Sequence, residues 1–266
     1  MAILEKSNDS VDKAGLLTIR DITGEKIDLD RRIYRCCVKN KEKYAWLVSY
    51  YYTDILISSN KNVKSRIEKP LKKIYEILNV CIKNEPSFLK SLSPIRIKPS
   101  FPPVIKEMCA KSAEFNVGPM AAVAGTVNEY LASYLQKYCD ILIIENGGDI
   151  YVKADRDINV GIYVKNPNFR DRIALKVNAK NMPCGLCSSS GTFGHSFSMG
   201  KCDLAIVLAK SAITADAAAT ALANSISCED DIPGSIAYFK EFEEIKGLLA
   251  IKDKKIGAWG AIEFSS

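Results

Sequence analysis

The sequence predicts an α+β fold in which helices pack on one side of an antiparallel-rich sheet. Short β-type runs with turn signals fill residues 1–60, and a β-hairpin ends the chain. Between them, apolar residues recur at three- and four-residue steps, as in amphipathic helices. We expect one domain over residues 1–266, comprising N-terminal hairpin strands (1–60), a helical part with a proline-rich connector (61–114) and a core that carries the motifs (115–266).

Two hairpins are predicted in the N-terminal part. The runs LLTIRDI and EKIDLD flank Thr23-Gly24, and the runs IYRCCV and YAWLVSY flank residues 39–42. Strands separated by such turn residues pair with each other in hairpins. The run DILISS follows as a further strand.

The helical part begins with a long amphipathic pattern from Val63 to Cys81. Pro70 lies inside that pattern and predicts a kink or a break, because proline cannot donate the helical hydrogen bond. Prolines then punctuate a connector at about 93–103, and a second helix is predicted from about Pro103 to Ala113.

A helix with unusually small side chains follows, in FNVGPMAAVAGTVNEYLASYLQKY. Gly118, Ala121 and Gly125 give its first turns little bulk. Such a helix start suits either close packing against a sheet or the approach of a phosphate to the backbone amides.

The next strand, ILIIENGGDIYVKA, is interrupted by Gly147-Gly148. Glycines inside a strand predict a bulge or a close backbone approach. Asp149 directly after them is either a turn residue or a group aimed at a ligand. Further strands are predicted in INVGIYV and RIALKV, a helix from Ser235 to Glu244, and a final hairpin in GLLAIKD and GAWGAIEF.

The segment from Cys184 to Asn224 concentrates the chemically distinctive residues. It opens with a CxxC of Cys184 and Cys187, continues with a Ser/Gly run and holds His195, the sole histidine of the chain. A CxxC can host a redox pair or half of a metal site, and a thiolate of low pKa can carry sulfur. Two idle thiols and a structural histidine are the alternatives.

An alanine-rich helix closes this segment and is predicted to open with Thr214-Ala215-Asp216. Asp216 and Thr220 lie one helical turn apart, so both oxygens project from the same helix face. A hard cation that bridges to a phosphate would use such a pair. Alternatively, Asp216 interacts favourably with the helix dipole in the first turn and Thr220 packs.

Composition restricts the class of protein. The 37 basic and 31 acidic residues give a net charge of +6, and the lysines are scattered as on a solvated helix face, so we expect no nucleic-acid partner. No apolar run approaches the length of roughly 18 residues that a membrane span requires. The nine cysteines and an N-terminus without signal-peptide features indicate a cytoplasmic protein with free thiols.

Three segments together resemble the ApbE family of flavin transferases, and more closely an ApbE-related branch of it. They are VGPMAAVAGTVNEYLA, ENGGDI and SSSGTFGHS…ITADAAATALAN. The resemblance extends from TDILISS to the C-terminus and implies an ApbE-like, T-fold-like arrangement of the sheet and helices. In the family's A-D-A-x-x-T-A-L helix, the Asp and Thr bind the magnesium that holds the FAD diphosphate. These residues correspond to Asp216 and Thr220, and the backbone carbonyl of Ala121 completes the implied metal site.

The remaining site residues come from the resemblance and from the motifs above. The family's G-G-D turn and the Ser/Gly run before its histidine imply a flavin nucleotide (FAD or FMN) bound by Gly147, Gly148, Ser189, Ser190 and Gly191, and the small-residue helix start would add Gly118, Ala121 and Gly125. The residues that we expect to act in catalysis are His195 and Asp149, which match the family's motifs, and Cys184 and Cys187, which belong to the CxxC.

The chain departs from the family at two places. Ala122 stands where the family's G-x-I-A-K-G start carries a lysine, and residues 196–200 replace a D-P-R-T-G-like loop. Phosphoryl transfer requires charge neutralisation on the bridging and leaving oxygens. We therefore expect nucleotide binding with slow or undetectable FMN transfer.

Three functions remain open from the sequence. The first is a Mg²⁺-dependent protein that binds a flavin nucleotide or another phosphate-bearing small molecule, with a protein acceptor if it transfers FMN. The second is a sulfur-handling protein that uses the CxxC with a sulfur-transfer partner, since some members of the related branch have been linked to homocysteine formation. The third is a non-catalytic nucleotide-binding partner of another enzyme. We also expect a homo-oligomer and no membrane partner.

Overall fold

The computed structural model describes residues 17–21, 42–51, 53–162, 164, 166–169, 173–191 and 201–265. The strands in these ranges are β1 (Thr18–Asp21), β2 (Tyr44–Tyr50), β3 (Thr53–Ser59), β4 (Leu142–Asn146), β5 (Asp149–Lys153), β6 (Ile158–Ile162), β7 (Ile173–Val177), β8 (Cys184–Ser189), β9 (Leu204–Ala209), β10 (Ile245–Lys252), β11 (Lys255–Gly260) and β12 (Glu263–Ser265). The α-helices are α1 (Glu68–Asn84), α2 (Ser87–Lys90), α3 (Pro103–Glu114), α4 (Val123–Leu135), α5 (Ala212–Asn224) and α6 (Asp231–Phe239).

The predicted α+β architecture is confirmed. Within the described ranges, nine strands form one sheet in the order β1-β2-β3-β4-β5-β8-β9-β10-β11, and three form a second sheet in the order β12-β7-β6. Every pairing in both sheets is antiparallel. The helices cover one face of the large sheet, and the small sheet covers the other, so the core has two layers.

Strand β9 shows how the sequence builds both layers. Ala205, Val207 and Ala209 lie in the core on the helix side, whereas Leu204, Ile206 and Leu208 lie in the core on the small-sheet side. Successive side chains of a strand point to opposite faces, so small and large residues alternate. The small residues allow α5 to approach the sheet closely.

The N-terminal part is described only in fragments. The segments EKIDLD, IYRCCV and Thr23-Gly24 lie outside the described residues, so their hairpins stay predictions. Within the described part, β2 and β3 are the predicted YAWLVSY and DILISS strands and pair with each other, and β1 pairs with β2.

The predicted kink at Pro70 is wrong. Helix α1 begins at Glu68 and continues without interruption to Asn84, so Pro70 falls in the first turn. The missing N–H has no helical partner there in any case, which removes the cost that proline carries in a helix interior.

Of the two alternatives predicted at Gly147-Gly148, the bulge is wrong, whereas a close approach is found: a Cβ atom at Gly148 would lie 2.7 Å from Ser188 Oγ. Gly147 and Gly148 form the turn of a β4–β5 hairpin in which Asn146 pairs with Asp149. Both glycines have positive φ, 74° and 104°. Two-residue hairpin turns of this kind need positive φ at both positions, which glycine adopts without strain.

The remaining helix and hairpin predictions largely agree with the structure. Helix α3 is confirmed, whereas α6 begins four residues before the predicted Ser235 and ends earlier, at Phe239. Strands β10 and β11 form the predicted C-terminal hairpin, but β12 leaves it and pairs with β7 in the small sheet. Among the described helices, none is long and apolar enough to cross a bilayer.

Candidate functional site

The candidate site lies on the helix side of the large sheet, where the β4–β5 turn and β8 meet the start of α4 and the second turn of α5. A Cβ atom added to Gly185 on β8 would lie 2.4 Å from the Cα of Ala212, so α5 begins in direct contact with the strand. Every residue of α5 from Ala212 to Ala223 is buried. The polar residues of this helix are therefore enclosed by other elements.

The prediction that Asp216 lies in the first turn of its own helix is wrong. Helix α5 begins at Ala212, and the hydroxyl of Ser211 caps it by accepting the N–H of Thr214 at 3.1 Å. Asp216 Oδ2 accepts the N–H of Gly125, at 2.8 Å, and the carboxylate also accepts the N–H of Ala124. Asp216 thus caps α4, which has no side-chain cap of its own.

The hydroxyl of Thr220 lies one turn further along α5. Its Oγ1 donates to the backbone carbonyl of Ala121 at 3.5 Å. The i, i+4 spacing places Thr220 on the same helix face as Asp216. The structure therefore brings the carboxylate, the hydroxyl and the carbonyl of the implied metal site to the same end of α4, the carboxylate at its first turn and the other two just before it.

Asp149 is the first residue of β5 and lies at the same place. Its Oδ1 accepts the N–H of Ser188, at 3.2 Å. The side-chain amide of Asn128 on α4 donates to the carbonyl of Asp149 at 2.9 Å and to that of Ile144 at 3.4 Å. Asn128 was not identified from the sequence. The available signal was an amide side chain within an otherwise apolar helix, because a polar group buried in such a helix needs a hydrogen-bond partner.

The site is acidic and desolvated. Asp149, Asp216 and Thr220 are 7%, 8% and 8% exposed. Burial raises the pKa of Asp216 well above its usual range, Asp149 raises it further, and the amides of Gly125 and Ala124 only partly offset this. No cationic side chain in the described ranges contributes to this balance. A bound cation would offset the repulsion between the two carboxylates.

The oxygen donors of the site fit a magnesium ion better than a structural metal ion whose ligands all come from protein side chains. Among the described residues, no three His, Cys, Asp or Glu side chains form a cluster that would hold a metal alone. The site offers two carboxylates, a hydroxyl and a carbonyl. Mg²⁺ prefers oxygen ligands and usually takes one or two protein carboxylates, with water and substrate phosphates completing its shell.

The two glycines at the start of the small-residue helix are explained by packing. A Cβ atom would lie 1.9 Å from the Ser91 carbonyl oxygen at Gly118, and 2.1 Å from the Ala212 carbonyl oxygen at Gly125. Their amides donate to Leu92 and Asp216, respectively. Neither amide is left to bind a phosphate, so the packing alternative applies at both positions.

Gly148 of the β4–β5 turn is also held by protein groups. The N–H of Gly148 donates to Glu145 Oε1 at 2.9 Å, and its carbonyl accepts the hydroxyl of Ser188 at 3.2 Å. These contacts fix the turn that precedes Asp149. The turn therefore serves at least to place the Asp149 carboxylate.

The Ser/Gly run is described as far as Gly191. The hydroxyl of Ser189 is buried and has no partner among the described residues, whereas Gly191 donates its N–H to the carbonyl of Cys202 at 2.9 Å. Ser190 is engaged in an interaction of its own. His195 lies outside the described residues, so its predicted role stays a prediction.

The CxxC does not form a pair of reactive thiols. Cys184 and Cys187 are three residues apart on β8, so they point to opposite faces; Cys184 packs towards the small sheet and Cys187 towards the helices. Both are fully buried. Burial raises the pKa of Cys184 to about 12 and that of Cys187 well above its usual range. The expectation of a redox pair or a thiolate of low pKa, and with it the sulfur-handling role of these cysteines, is therefore not supported.

Comparison with solved structures defines the fold class. The apo crystal structure of the flavinyl transferase ApbE from Pseudomonas stutzeri matches with a TM-score of 0.51 and 11% identity, and the match covers 78% of this chain and 90% of that chain. At this identity the likeness establishes the fold. The chain thus has the ApbE fold, as the sequence resemblance implied.

Sequence relatives define the family more closely. A UPF0280 protein of Methanococcus aeolicus is 37% identical over 182 residues, covering 66% of this chain and 73% of the relative. One of Methanococcus vannielii is 40% identical over 188 residues, covering 69% and 76%. The family model described as "AbpE bacteria" matches residues 35–236, and the chain belongs to this family.

Proposed function

We propose that the protein binds a flavin nucleotide, FAD or FMN, through a magnesium ion. The Asp216 carboxylate, the Thr220 hydroxyl and the Ala121 carbonyl would hold the ion, with Asp149 beside it. The observation that carries the proposal is the contact of Thr220 Oγ1 with the Ala121 carbonyl at 3.5 Å, on the helix face that carries Asp216. This contact supports the proposal because it joins two residues, distant in sequence, that would supply oxygens to the metal site that the ApbE resemblance implies.

The chain's own residues would bind and orient the phosphates. Bound magnesium neutralises charge on phosphate oxygens. Asp149, fixed by Ser188 and Asn128, adds a second carboxylate for the ion or its water shell. The buried hydroxyl of Ser189, on the same face of β8 as Cys187, has no partner among the described residues and would donate to a ligand oxygen. Low exposure around these groups strengthens each electrostatic contact.

Binding is proposed with little FMN transfer. Ala122 is fully buried and uncharged, at the position of the family's lysine. A magnesium ion held by Asp216 and Thr220 would neutralise part of the phosphate charge, and the loss of a second stabilising group typically costs about 10²–10³ in rate. The replacement of the D-P-R-T-G-like loop falls at residues 196–200, outside the described part.

The test is titration of the pure protein with FAD, with and without Mg²⁺, by calorimetry. AMP release and the mass of a Ser/Thr acceptor peptide are followed in parallel. We expect binding that requires Mg²⁺, with slow or undetectable AMP release and peptide flavinylation. Equal FAD affinity with and without Mg²⁺ would contradict the binding proposal, whereas rapid stoichiometric flavinylation would contradict only its limit on transfer.

A further inference from the structure

Helix α4 is joined by hydrogen bonds to both residues that carry the carboxylates of the site. The N–H of Gly125 in its first turn donates to Asp216 Oδ2 at 2.8 Å. Three residues later, the fully buried side chain of Asn128 contacts the β4–β5 hairpin. Its Nδ2 donates to the Asp149 carbonyl oxygen at 2.9 Å and to the Ile144 carbonyl oxygen at 3.4 Å. The start of β5 is therefore attached to the same helix that Asp216 caps.

We propose that Asn128 is a positioning residue that sets the place of Asp149 relative to Asp216, with α4 as the rigid element between them. Residues three apart in a helix lie on the same face, so the helical repeat fixes the spacing between the attachment points at Gly125 and Asn128. This inference rests on the proposed function, because it assumes that the two carboxylates serve one bound ion.

The hydrogen bonding of the Asn128 amide is one-sided. Its Oδ1 is buried and has no partner among the described residues, whereas its Nδ2 has two. A buried oxygen without a partner destabilises the folded state. The amide therefore stabilises the fold less than a fully paired amide would, and what it supplies is the attachment of the hairpin to α4.

Asn166 is the matched control within the chain. It is also a buried asparagine, and its Nδ2 also donates to two acceptors, Asp203 Oδ2 and the Asp253 carbonyl oxygen, each at 2.7 Å. Its Oδ1 accepts the N–H of Asn168 at 2.8 Å, so both ends of this amide are paired. None of these partners belongs to the candidate site. Loss of the Asn166 amide should therefore cost more stability than loss of the Asn128 amide, but no binding.

The first experiment compares Asn128→Ala with Asn166→Ala by calorimetry of FAD binding in the presence of Mg²⁺ and by urea unfolding. Loss of an outer-shell partner at a metal site typically costs about 10–100-fold in metal affinity. We expect Asn128→Ala to bind about 10-fold more weakly than wild type and Asn166→Ala to stay within about twofold, although Asn166→Ala is the less stable protein. Affinity losses that follow the order of the stability losses, or equal affinities in the two variants, would overturn the proposal.

The second experiment uses the wild-type protein and stands even if a variant does not fold. The side-chain amide signals of Asn128 and Asn166, assigned through the backbone, are followed by ¹⁵N NMR. We expect the Asn128 signals to shift when FAD and Mg²⁺ are added together and the Asn166 signals to stay unmoved. Asn128 signals that stay unmoved while FAD binds with Mg²⁺ would overturn the positioning role alone. Absence of Mg²⁺-dependent FAD binding by wild type would instead overturn the proposed function, and the positioning role with it.

Discussion

Two carboxylates cap two helices in the same way, yet one belongs to the candidate site and the other does not. Asp216 of α5 accepts the N–H of Gly125 at the start of α4, and Glu129 of α4 accepts the N–H of Ala212 at the start of α5, each at 2.8 Å. Asp216 lies one turn after Ala212, whose N–H is accepted by Glu129. Glu129 in turn lies one turn after Gly125, whose N–H is accepted by Asp216. The two helices therefore cap each other where Gly125 touches Ala212.

The surroundings of the two carboxylates differ. Burial raises the pKa of Glu129, and the hydrogen bond from the Ala212 amide lowers it. Repulsion from Glu107 also raises this pKa, but it is the smallest of the three effects. At Asp216 the repulsion from Asp149 is second only to burial, and Thr220 and Ala121 add further oxygens. A helix cap needs one carboxylate. The additional acid and oxygens at Asp216 are the groups that the proposed cation would bind, and Glu129, which lacks them, is the internal control.

The largest expected effect separates these two carboxylates. Asp216→Asn keeps an oxygen for the Gly125 amide but removes the charge, so Mg²⁺-dependent FAD binding should weaken by more than about 100-fold, beyond the cost of an outer-shell partner. Glu129→Gln should leave the affinity unchanged. Calorimetry of both variants makes the measurement. Similar losses in both would mean that Asp216 acts only as a cap.

The contact between the two helix starts is expected to be the next most sensitive. The Cβ of Gly125→Ala would lie 2.1 Å from the Ala212 carbonyl oxygen and 2.9 Å from Asp216 Cβ, which disturbs both caps at once. We expect a loss of about 1–3 kcal/mol in the free energy of unfolding, as for overpacked sites. Urea unfolding is the measurement.

Gly234→Ala in α6 is the control for that substitution. Nothing lies within 4 Å of a Cβ atom there, so the helix should gain about 0.5–1 kcal/mol from the higher propensity of alanine. A Gly125→Ala protein as stable as wild type would show that the helices can separate at no cost.

A smaller effect is expected for the Thr220 hydroxyl. Thr220→Val should weaken Mg²⁺-dependent FAD binding by about 10-fold, the equivalent of one net hydrogen bond of roughly 1.4 kcal/mol. The matched control is Thr126→Val. Thr126 is buried and donates to the Ala122 carbonyl at 2.6 Å, but it lies on α4 itself. Equal binding losses in the two variants would exclude a specific role for Thr220.

The smallest expected effect is on the pH dependence of stability. A carboxyl group whose pKa is raised by folding contributes stability fully below its unfolded value of about 4, and that contribution is lost as the pH rises through the folded value. Without divalent cations, stability should therefore fall above about pH 4. One proton contributes a slope of at most about 1.4 kcal/mol per pH unit.

The two carboxylates should contribute unequally to that slope. Asp216→Asn is expected to reduce the dependence of stability on pH more than Glu129→Gln does. The reason is that repulsion from a second carboxylate, Asp149, contributes strongly to the raised pKa of Asp216, whereas Glu107 contributes least to that of Glu129. Urea unfolding of both variants across a pH series tests this. Equal slopes of the unfolding free energy against pH in the two variants would show that the two capping carboxylates do not differ in their electrostatic surroundings.

Local patterns were sufficient for much of the architecture. Apolar periodicity located α1 and α3, and turn residues located the C-terminal hairpin. The order and the residue content of three motifs were sufficient to identify the relationship to the ApbE family. Two errors came from reading a residue without its position in an element: Pro70 falls in a first turn, and Gly147-Gly148 form a hairpin turn.

The error at the CxxC has the same origin. The period of two along β8 separates Cys184 from Cys187, and this follows once the segment is known to be a strand. A loop would have allowed the two thiols to meet. The spacing alone did not distinguish these cases.

The sequence by itself determined that Asp216 and Thr220 share a helix face, because that depends only on the helical repeat. Only the tertiary structure decided that Asp216 caps α4, that Asp149 lies beside it, and that Glu129 makes the same contact without a site around it. These relations join residues that are distant along the chain. They depend on the packing of α4 and α5 at Gly125, where the absence of a side chain lets two backbones touch.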